Sequence, residues 1–185
     1  MIQLGKVEMT GGFLLLAAWL NYLDRNFLLP IAALSCGVHE LGHYMTIRIL
    51  GGDIKRIRLT AIGAEMVLRR PLGYWQEGLS ALAGPGTNLL LALTCCERGG
   101  FAFAGLNLTL ACFNLLPVGR LDGGRALYCT LALLTGPDTA ARTVGILGWI
   151  CTLGLLTAGL TAGIRGNLTL LLAAVWLASS LTSTK

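Results

Sequence analysis

The sequence predicts an all-α polytopic membrane protein with about six transmembrane helices and a short β-hairpin at the membrane surface between the second and third helices. Of the 185 residues, 55% are hydrophobic and only 12% are charged, whereas soluble domains are roughly 25% charged. The mean hydropathy is +0.71. Several apolar runs approach the ~20 residues that a helix needs to cross a bilayer. These observations exclude an ordinary soluble globular domain.

The first helix is predicted over residues 11–23 and the second over residues 27–50. The first is expected to be a retained helix, because Glu8 lies where a signal peptide would be basic and no A-x-A cleavage site follows. The second begins close to Pro30, a position where proline is tolerated in a helix. It contains both histidines of the chain.

Residues 54–70 are predicted to form the hairpin, because two runs rich in apolar and β-branched residues flank a break at residues 61–63. An irregular basic loop is the alternative. The third helix, residues 78–96, contains Gly84-Pro85-Gly86, which we expect to interrupt it. An interruption inside a membrane must be covered by protein or by a water-filled cavity. The remaining helices are predicted at residues 101–118, 126–135 (short), 143–164 and 168–181.

The distribution of basic residues predicts the orientation. The net charge is +5. With a cytoplasmic N-terminus and six spans, eleven of the fourteen basic residues face the cytoplasm, as the positive-inside rule expects. The outer three are Arg25, Arg98 and Arg165. Both termini are then cytoplasmic. No basic stripe with interleaved aromatic residues indicates a nucleic-acid partner.

His39-Glu40-Leu41-Gly42-His43 is the motif that indicates chemistry. Residues four apart share one face of a helix, so His39 and His43 can bind one metal ion with Glu40 beside them as a general base. Ionisable groups within an apolar span are costly unless they face a metal or a polar interior. The alternative is a pair of core histidines that meet by chance.

A catalytic zinc ion takes three protein ligands and leaves one position for water. Asp122 is the best third candidate, because it lies in a glycine-rich loop at the same predicted depth as the two histidines. The alternative for Asp122 is a plain helix-capping carboxylate. Weaker ligand candidates are Glu65, Glu77 and Cys36. The six cysteines include no C-x-x-C pair, which favours neither a disulfide framework nor a cysteine-based zinc site.

Three segments together resemble the site-2 protease family of intramembrane zinc metalloproteases. They are the HELGH motif at residues 39–43, AGPGTN at residues 83–88, and NLLPVGRLDGGR at residues 114–125. The last is similar to the family's N-x-x-P-x-x-x-L-D-G signature at every fixed position. The resemblance covers residues 30–125 and is greatest to the minimal sporulation-factor-protease branch.

The resemblance implies one domain over residues 1–185, with a catalytic core at about 27–125 and accessory helices at 1–26 and 126–185. The sporulation-factor branch usually carries a C-terminal CBS domain and other branches carry inserted PDZ domains, and we expect neither within these residues. It further implies an integral protein of the bacterial cytoplasmic membrane with its active site towards the cytoplasm. The oligomeric state is not indicated.

The resemblance also implies roles for individual residues. One zinc ion per chain would bind His39, His43 and Asp122, and Glu40 would act as the general base. Asn114 would stabilise the oxyanion, with Asn88 as an alternative. The implied substrate is a single-span or membrane-tethered protein, such as a sigma-factor or anti-sigma-factor precursor.

Cleavage of a transmembrane helix requires local unwinding, since its carbonyls are held in i to i−4 hydrogen bonds. The hairpin at residues 54–70 is a candidate surface that holds the unwound segment as an added strand. Two other functions remain open. One is a catalytically silent membrane protein that binds single-span partners, against which the intact Glu40 argues. The other is a metal transporter, which would need several metal-binding clusters along a path.

Overall fold

A computed structural model of the protein describes residues 2–24, 28–60, 63–96, 100–164, 166 and 168–182. These residues form seven helices and four strands. The helices are α1 (Gly11–Leu23), α2 (Leu28–Ile49), α3 (Tyr74–Cys96), α4 (Phe101–Asn114), α5 (Asp122–Thr135), α6 (Pro137–Ile164) and α7 (Thr169–Thr182). The strands are β1 (Ile2–Leu4), β2 (Val7–Met9), β3 (Ile54–Thr60) and β4 (Gly63–Leu68).

The predicted hairpin is confirmed, but it belongs to a larger sheet. Strands β3 and β4 pair antiparallel, with Ile57 opposite Met66. An N-terminal hairpin of β1 and β2 extends this pair, because β2 runs parallel to β3 with Val7 opposite Ile57. The strand order is β1-β2-β3-β4. The expectation of an all-α fold with one isolated hairpin was therefore wrong at the N-terminus, where strands of three residues are too short to show periodicity.

Small side chains line the contacts between the helices. Helix α3 packs against α2, α4 and α5, and α6 packs against α5 and α7. The buried residues at these contacts include Ala81, Ala111, Ala140 and Ala174. Large apolar side chains instead point outwards on most helices. Close packing through small residues with an apolar exterior is typical of membrane helices.

The predicted interruption of the third helix is wrong. Helix α3 runs without a break through Pro85. Proline is tolerated in membrane helices where neighbouring groups satisfy the backbone that it frees. Helix α5 also differs from its prediction, because it begins at Asp122 and not at residue 126. Asp122 is therefore a first-turn helical residue.

Two helices within the described ranges, α3 and α6, are long and apolar enough to cross a bilayer. Helices α1, α4 and α7 are apolar but shorter, with 13 to 14 residues. Helix α2 has 22 residues, but its polar side chains lower its hydropathy. Six spans therefore remain a prediction. The basic residues assigned to the outer side, Arg25, Arg98 and Arg165, lie outside the described residues.

Candidate active site

His39, His43 and Asp122 meet in one buried cluster between α2 and α5. Their exposed fractions are 5%, 7% and 8%. The His39 and His43 Nε2 atoms lie 3.1 and 3.2 Å from Asp122 Oδ2, and 3.2 Å from each other. One helical turn places the two histidines on the same face of α2, while Asp122 comes from 83 residues further along the chain than His39.

The size of this triangle fits a metal ion. Zinc–nitrogen and zinc–oxygen bonds are ~2.0–2.2 Å long, so two ligand atoms on a tetrahedral zinc ion lie about 3.3–3.5 Å apart. The sides of the observed triangle are close to that spacing. Two imidazoles and one carboxylate also form a known catalytic zinc set.

The hydrogen bonds behind the cluster favour the same interpretation. His43 Nδ1 lies 2.7 Å from the Ser80 carbonyl oxygen, which can only accept a hydrogen bond. In the neutral ring the proton is therefore on Nδ1, and the Nε2 lone pair points at Asp122 Oδ2. Lone pairs that converge in this way repel one another unless a cation lies between them. The residues present therefore fit zinc.

Gly84 explains why α3 can approach the two histidines. A β-carbon at position 84 would overlap His43 Nε2 and lie 2.9 Å from His39 Cε1. Gly42, within the HELGH motif, fits against α3 in the same way, since a β-carbon there would lie 2.8 Å from the Ala83 carbonyl oxygen. Gly84, the first glycine of the AGPGTN segment, therefore allows close packing of α3 on the histidines and does not break the helix.

Glycines also place Asp122. A β-carbon at Gly123 would overlap the Leu115 carbonyl, and one at Gly124 would overlap the Val118 carbonyl. The first turn of α5 therefore rests directly on the backbone of the preceding loop. This contact brings the Asp122 carboxylate to the histidine pair.

Glu40 follows His39 on α2 and is half-buried. It interacts electrostatically with His43, His39 and Asp122. Within the described part of the chain, its carboxylate has no hydrogen-bond or ion-pair partner. A carboxylate beside the cluster that is not engaged elsewhere is suited to accept a proton.

The weaker ligand candidates lie elsewhere. Glu77 Oε1 is 3.4 Å from Arg125 Nη2, and Glu65 Oε2 is 3.8 Å from Arg58 Nη1. Cys36 is exposed. Arg125 also places Nη1 3.7 Å from Asp122 Oδ1, so it lies between Asp122 and Glu77. No sequence pattern indicates the Arg125–Glu77 pair, because α3 and α5 meet only in the fold.

The chain was compared with known proteins by sequence and by fold. No protein-family model matches the chain. Two relatives are named as candidate zinc metalloproteases. The first, sll0528 of Synechocystis sp., is 34% identical over 130 residues, which cover 60% of this chain and 34% of that protein. The second is Rip3 of Mycobacterium tuberculosis. It is 29% identical over an alignment of 194 positions, which covers 91% of this chain and 46% of that protein.

The fold matches a solved structure, the site-2 protease from Methanocaldococcus jannaschii, with a TM-score of 0.72. The match covers 98% of this chain and 92% of that chain at 22% identity. The chain therefore has the fold of a site-2 protease. The chain spans about a third of the length of sll0528 and about half of the length of Rip3.

The two asparagines of the site-2 protease motifs occupy different positions relative to the cluster. Asn114 is the last residue of α4, is half-buried, and donates from Nδ2 to the Leu110 carbonyl at 3.0 Å. Among the described residues, no hydrogen bond joins Asn114 to the cluster. Asn88 is completely buried, and its Oδ1 lies 3.1 Å from His39 Nδ1. The role of Asn114 in stabilising the oxyanion remains a prediction.

Proposed function

We propose that the chain is an intramembrane zinc endopeptidase that hydrolyses a peptide bond in or near the transmembrane segment of a membrane-anchored protein. The observation that carries this proposal is the convergence of His39, His43 and Asp122 beside Glu40, whose carboxylate has no hydrogen-bond or ion-pair partner among the described residues. The site-2 protease fold and the names of the two relatives support the same activity. They leave the substrate open.

Different residues of the chain would bind zinc, transfer the proton and stabilise the oxyanion. His39, His43 and Asp122 would hold one zinc ion, which when bound supplies Lewis acidity towards water and the scissile carbonyl. Glu40 takes the proton of the attacking water and passes it to the leaving amine. The Asn114 amide is our candidate donor to the developing oxyanion. Asn88 is less suited to that task, because its Oδ1 faces His39.

We place the chain in a bacterial cytoplasmic membrane with six spans (α1, α2, α3, α4, α6 and α7), both termini cytoplasmic, and the site towards the cytoplasm. The outward-facing apolar side chains and the charge distribution support this placement. Helices α1, α4 and α7, with 13 or 14 residues each, are about 20–21 Å long at ~1.5 Å per residue. Such helices require local thinning of the bilayer or flanking residues to complete the crossing.

The substrate class we favour is a single-span or membrane-tethered protein, such as a sigma-factor or anti-sigma-factor precursor. Strand β4 is the last strand of the described sheet and pairs only with β3. An unwound substrate segment could add to its free edge, where backbone hydrogen bonds give affinity with little demand on sequence. The sheet and the active-site cluster are joined through residues 50–53, which link α2 to β3.

The test compares wild type with Glu40→Gln in detergent and in proteoliposomes. Zinc content is measured together with cleavage of a single-span reporter that contains helix-breaking residues. Glu65→Gln is the matched control, since Glu65 is an exposed glutamate on β4. We expect zinc in all three proteins and cleavage by wild type and Glu65→Gln only.

The same experiment separates the other functions. Zinc binding without reporter cleavage by wild type would favour a silent binding module. Zinc flux into proteoliposomes would favour a transporter, although the described residues contain only one His/Cys/Asp/Glu cluster suited to a metal. Equal cleavage by wild type and Glu40→Gln would remove Glu40 from the mechanism.

A further inference from the structure

Buried polar side chains form a connected group behind His39, away from Asp122. Asn88 on α3 and Asn107 on α4 are completely buried, and Ser35 on α2 is almost completely buried. Asn88 Nδ2 lies 3.5 Å from the Ser35 carbonyl oxygen. Asn107 Nδ2 donates to Ser35 Oγ at 3.0 Å. Three helices therefore contribute to the surroundings of one imidazole.

The contacts of Asn88 fix the orientation of its amide. The Ser35 carbonyl can only accept a hydrogen bond, so the Asn88 NH₂ group must face it. The Asn88 Oδ1 atom then faces His39 Nδ1 at 3.1 Å. Since Oδ1 can only accept, the neutral His39 ring must carry its proton on Nδ1. Its Nε2 lone pair is left pointing towards His43 and Asp122.

We propose that Asn88 is a positioning residue that fixes the tautomer and the ring orientation of His39 for metal binding. Asn107 supports it indirectly, because its hydrogen bond to Ser35 Oγ pins the stretch of α2 whose carbonyl orients Asn88. Ligand histidines generally donate their second ring N–H to such a partner, which raises their affinity for the metal. This inference rests on the proposed function only in taking His39 to be a zinc ligand.

The two histidines are held in different ways. His43 donates to a backbone carbonyl, that of Ser80, which no side-chain substitution removes. His39 depends on a side chain. Asn88 is thus the position where one substitution can release one ligand of the pair and leave the other in place. If Asn88 served only to join α2 and α3, as buried polar residues in membranes often do, its acceptor oxygen would have no special importance.

The test uses the fact that the chain has only two histidines. Zinc-free protein labelled with ¹⁵N-histidine gives signals from two imidazoles, which His43→Asn assigns. At a pH where both rings are neutral, we expect His39 to carry its proton on Nδ1. A proton on Nε2 of His39 in wild type would overturn the proposal, and this measurement needs no Asn88 variant.

Zinc affinity, measured by competition with a chelator, provides the second readout. We expect Asn88→Ala to bind zinc about 10- to 100-fold more weakly and to show a mixture of His39 tautomers. Asn88→Asp keeps an acceptor oxygen and should stay close to wild type. The control is Thr152→Val, which alters a completely buried side chain on α6, and we expect unchanged affinity.

A purely structural role predicts a different pattern. Asn88→Ala and Asn88→Asp would then lose zinc and unfold at lower temperature to the same extent, which would overturn the proposal. Wild-type affinity in a folded Asn88→Ala would do so too. None of these measurements involves a substrate, so a failure of the protease proposal would be seen separately, as absence of reporter cleavage.

Discussion

Gly84 lies so close to His43 that any side chain at position 84 would occupy the space of the imidazole. A β-carbon there would overlap Nε2 and lie 2.6 Å from Cε1 of the ring. The atom that it would displace is the one directed at Asp122. Gly84 therefore shapes the candidate metal site although it offers no ligand.

The first prediction is that Gly84→Ala impairs zinc binding. Overpacking costs about 1–3 kcal/mol, which corresponds to roughly 5- to 150-fold in zinc affinity. Chelator competition on the purified protein measures this loss. Gly86→Ala is the matched control, because a β-carbon at Gly86 has no atom within 4 Å and alanine favours a helix. Equal affinity of the two variants would contradict the packing argument.

The second prediction concerns the placement of Asp122. Gly124→Ala would force the first turn of α5 away from the Val118 carbonyl. Because Asp122 is on that turn, we expect weaker zinc binding and a lower unfolding temperature. Gly119→Ala, in the same segment but with open space around it, should change neither. A Gly124→Ala protein that binds zinc normally would show that α5 can shift without moving Asp122.

The third prediction is a pH dependence in the sheet. Glu8 on β2 is buried between Arg56 and Arg58 of β3, at 3.2 and 3.4 Å. Burial alone would raise the pKa of Glu8, but the two arginines outweigh it and lower that pKa below 4.5. The stabilisation is therefore complete above pH 4.5 and is lost as the pH falls through the lower, folded-state pKa.

Hydrogen exchange of the β2 and β3 amides measures this effect. Protection, corrected for the intrinsic exchange rate, should fall on acidification in wild type. Glu8→Gln should show low protection at neutral pH and little further change with acid. Asp138→Asn, at an exposed carboxylate on α6 away from the sheet, serves as the control. Wild-type protection in Glu8→Gln would mean that β2 is held by its backbone hydrogen bonds alone.

The fourth prediction tests strand addition at β4. Successive residues of an edge strand direct their N–H groups alternately to the partner strand and outwards. Proline has no backbone N–H, so Glu65→Pro and Met66→Pro each remove one. In one of the two variants the lost N–H group faces β3, and in the other it faces the free edge. The outward variant should keep its zinc and its sheet but lose reporter cleavage. Full cleavage by that variant would exclude β4 as the substrate-binding edge.

The sequence alone predicted the histidine face of α2 and offered Asp122 as the best of several third ligands. An i, i+4 histidine pair has only one helical face to occupy, and a glycine-rich segment was needed to bring a carboxylate to it. The hairpin was also predictable, because β3 and β4 are adjacent in sequence. The histidine pair and the hairpin depend on local spacing, which a single sequence shows directly, whereas Asp122 lies 83 residues after His39 and its assignment depended on the resemblance to site-2 protease motifs.

The incorrect predictions depend on tertiary contacts. The pairing of β2 with β3 joins residues about fifty positions apart, and neither N-terminal strand exceeds three residues. Gly84-Pro85-Gly86 has the composition of a helix break, but its first glycine makes room for His43. The contact of Asn88 with His39 has no signature in sequence beyond a polar residue in an apolar helix. Helices of only 13 or 14 residues, such as α1 and α4, cannot be assigned as membrane spans by length alone.

The central claim is that His39, His43 and Asp122 together bind one zinc ion. Zinc K-edge X-ray absorption on the purified, zinc-loaded protein tests it most directly. We predict one zinc ion per chain, with two imidazole nitrogens at ~2.0–2.1 Å, no sulfur in the first shell, and the remaining ligands oxygen. A sulfur shell at ~2.3 Å, or a spectrum with fewer than two imidazoles, would contradict the account.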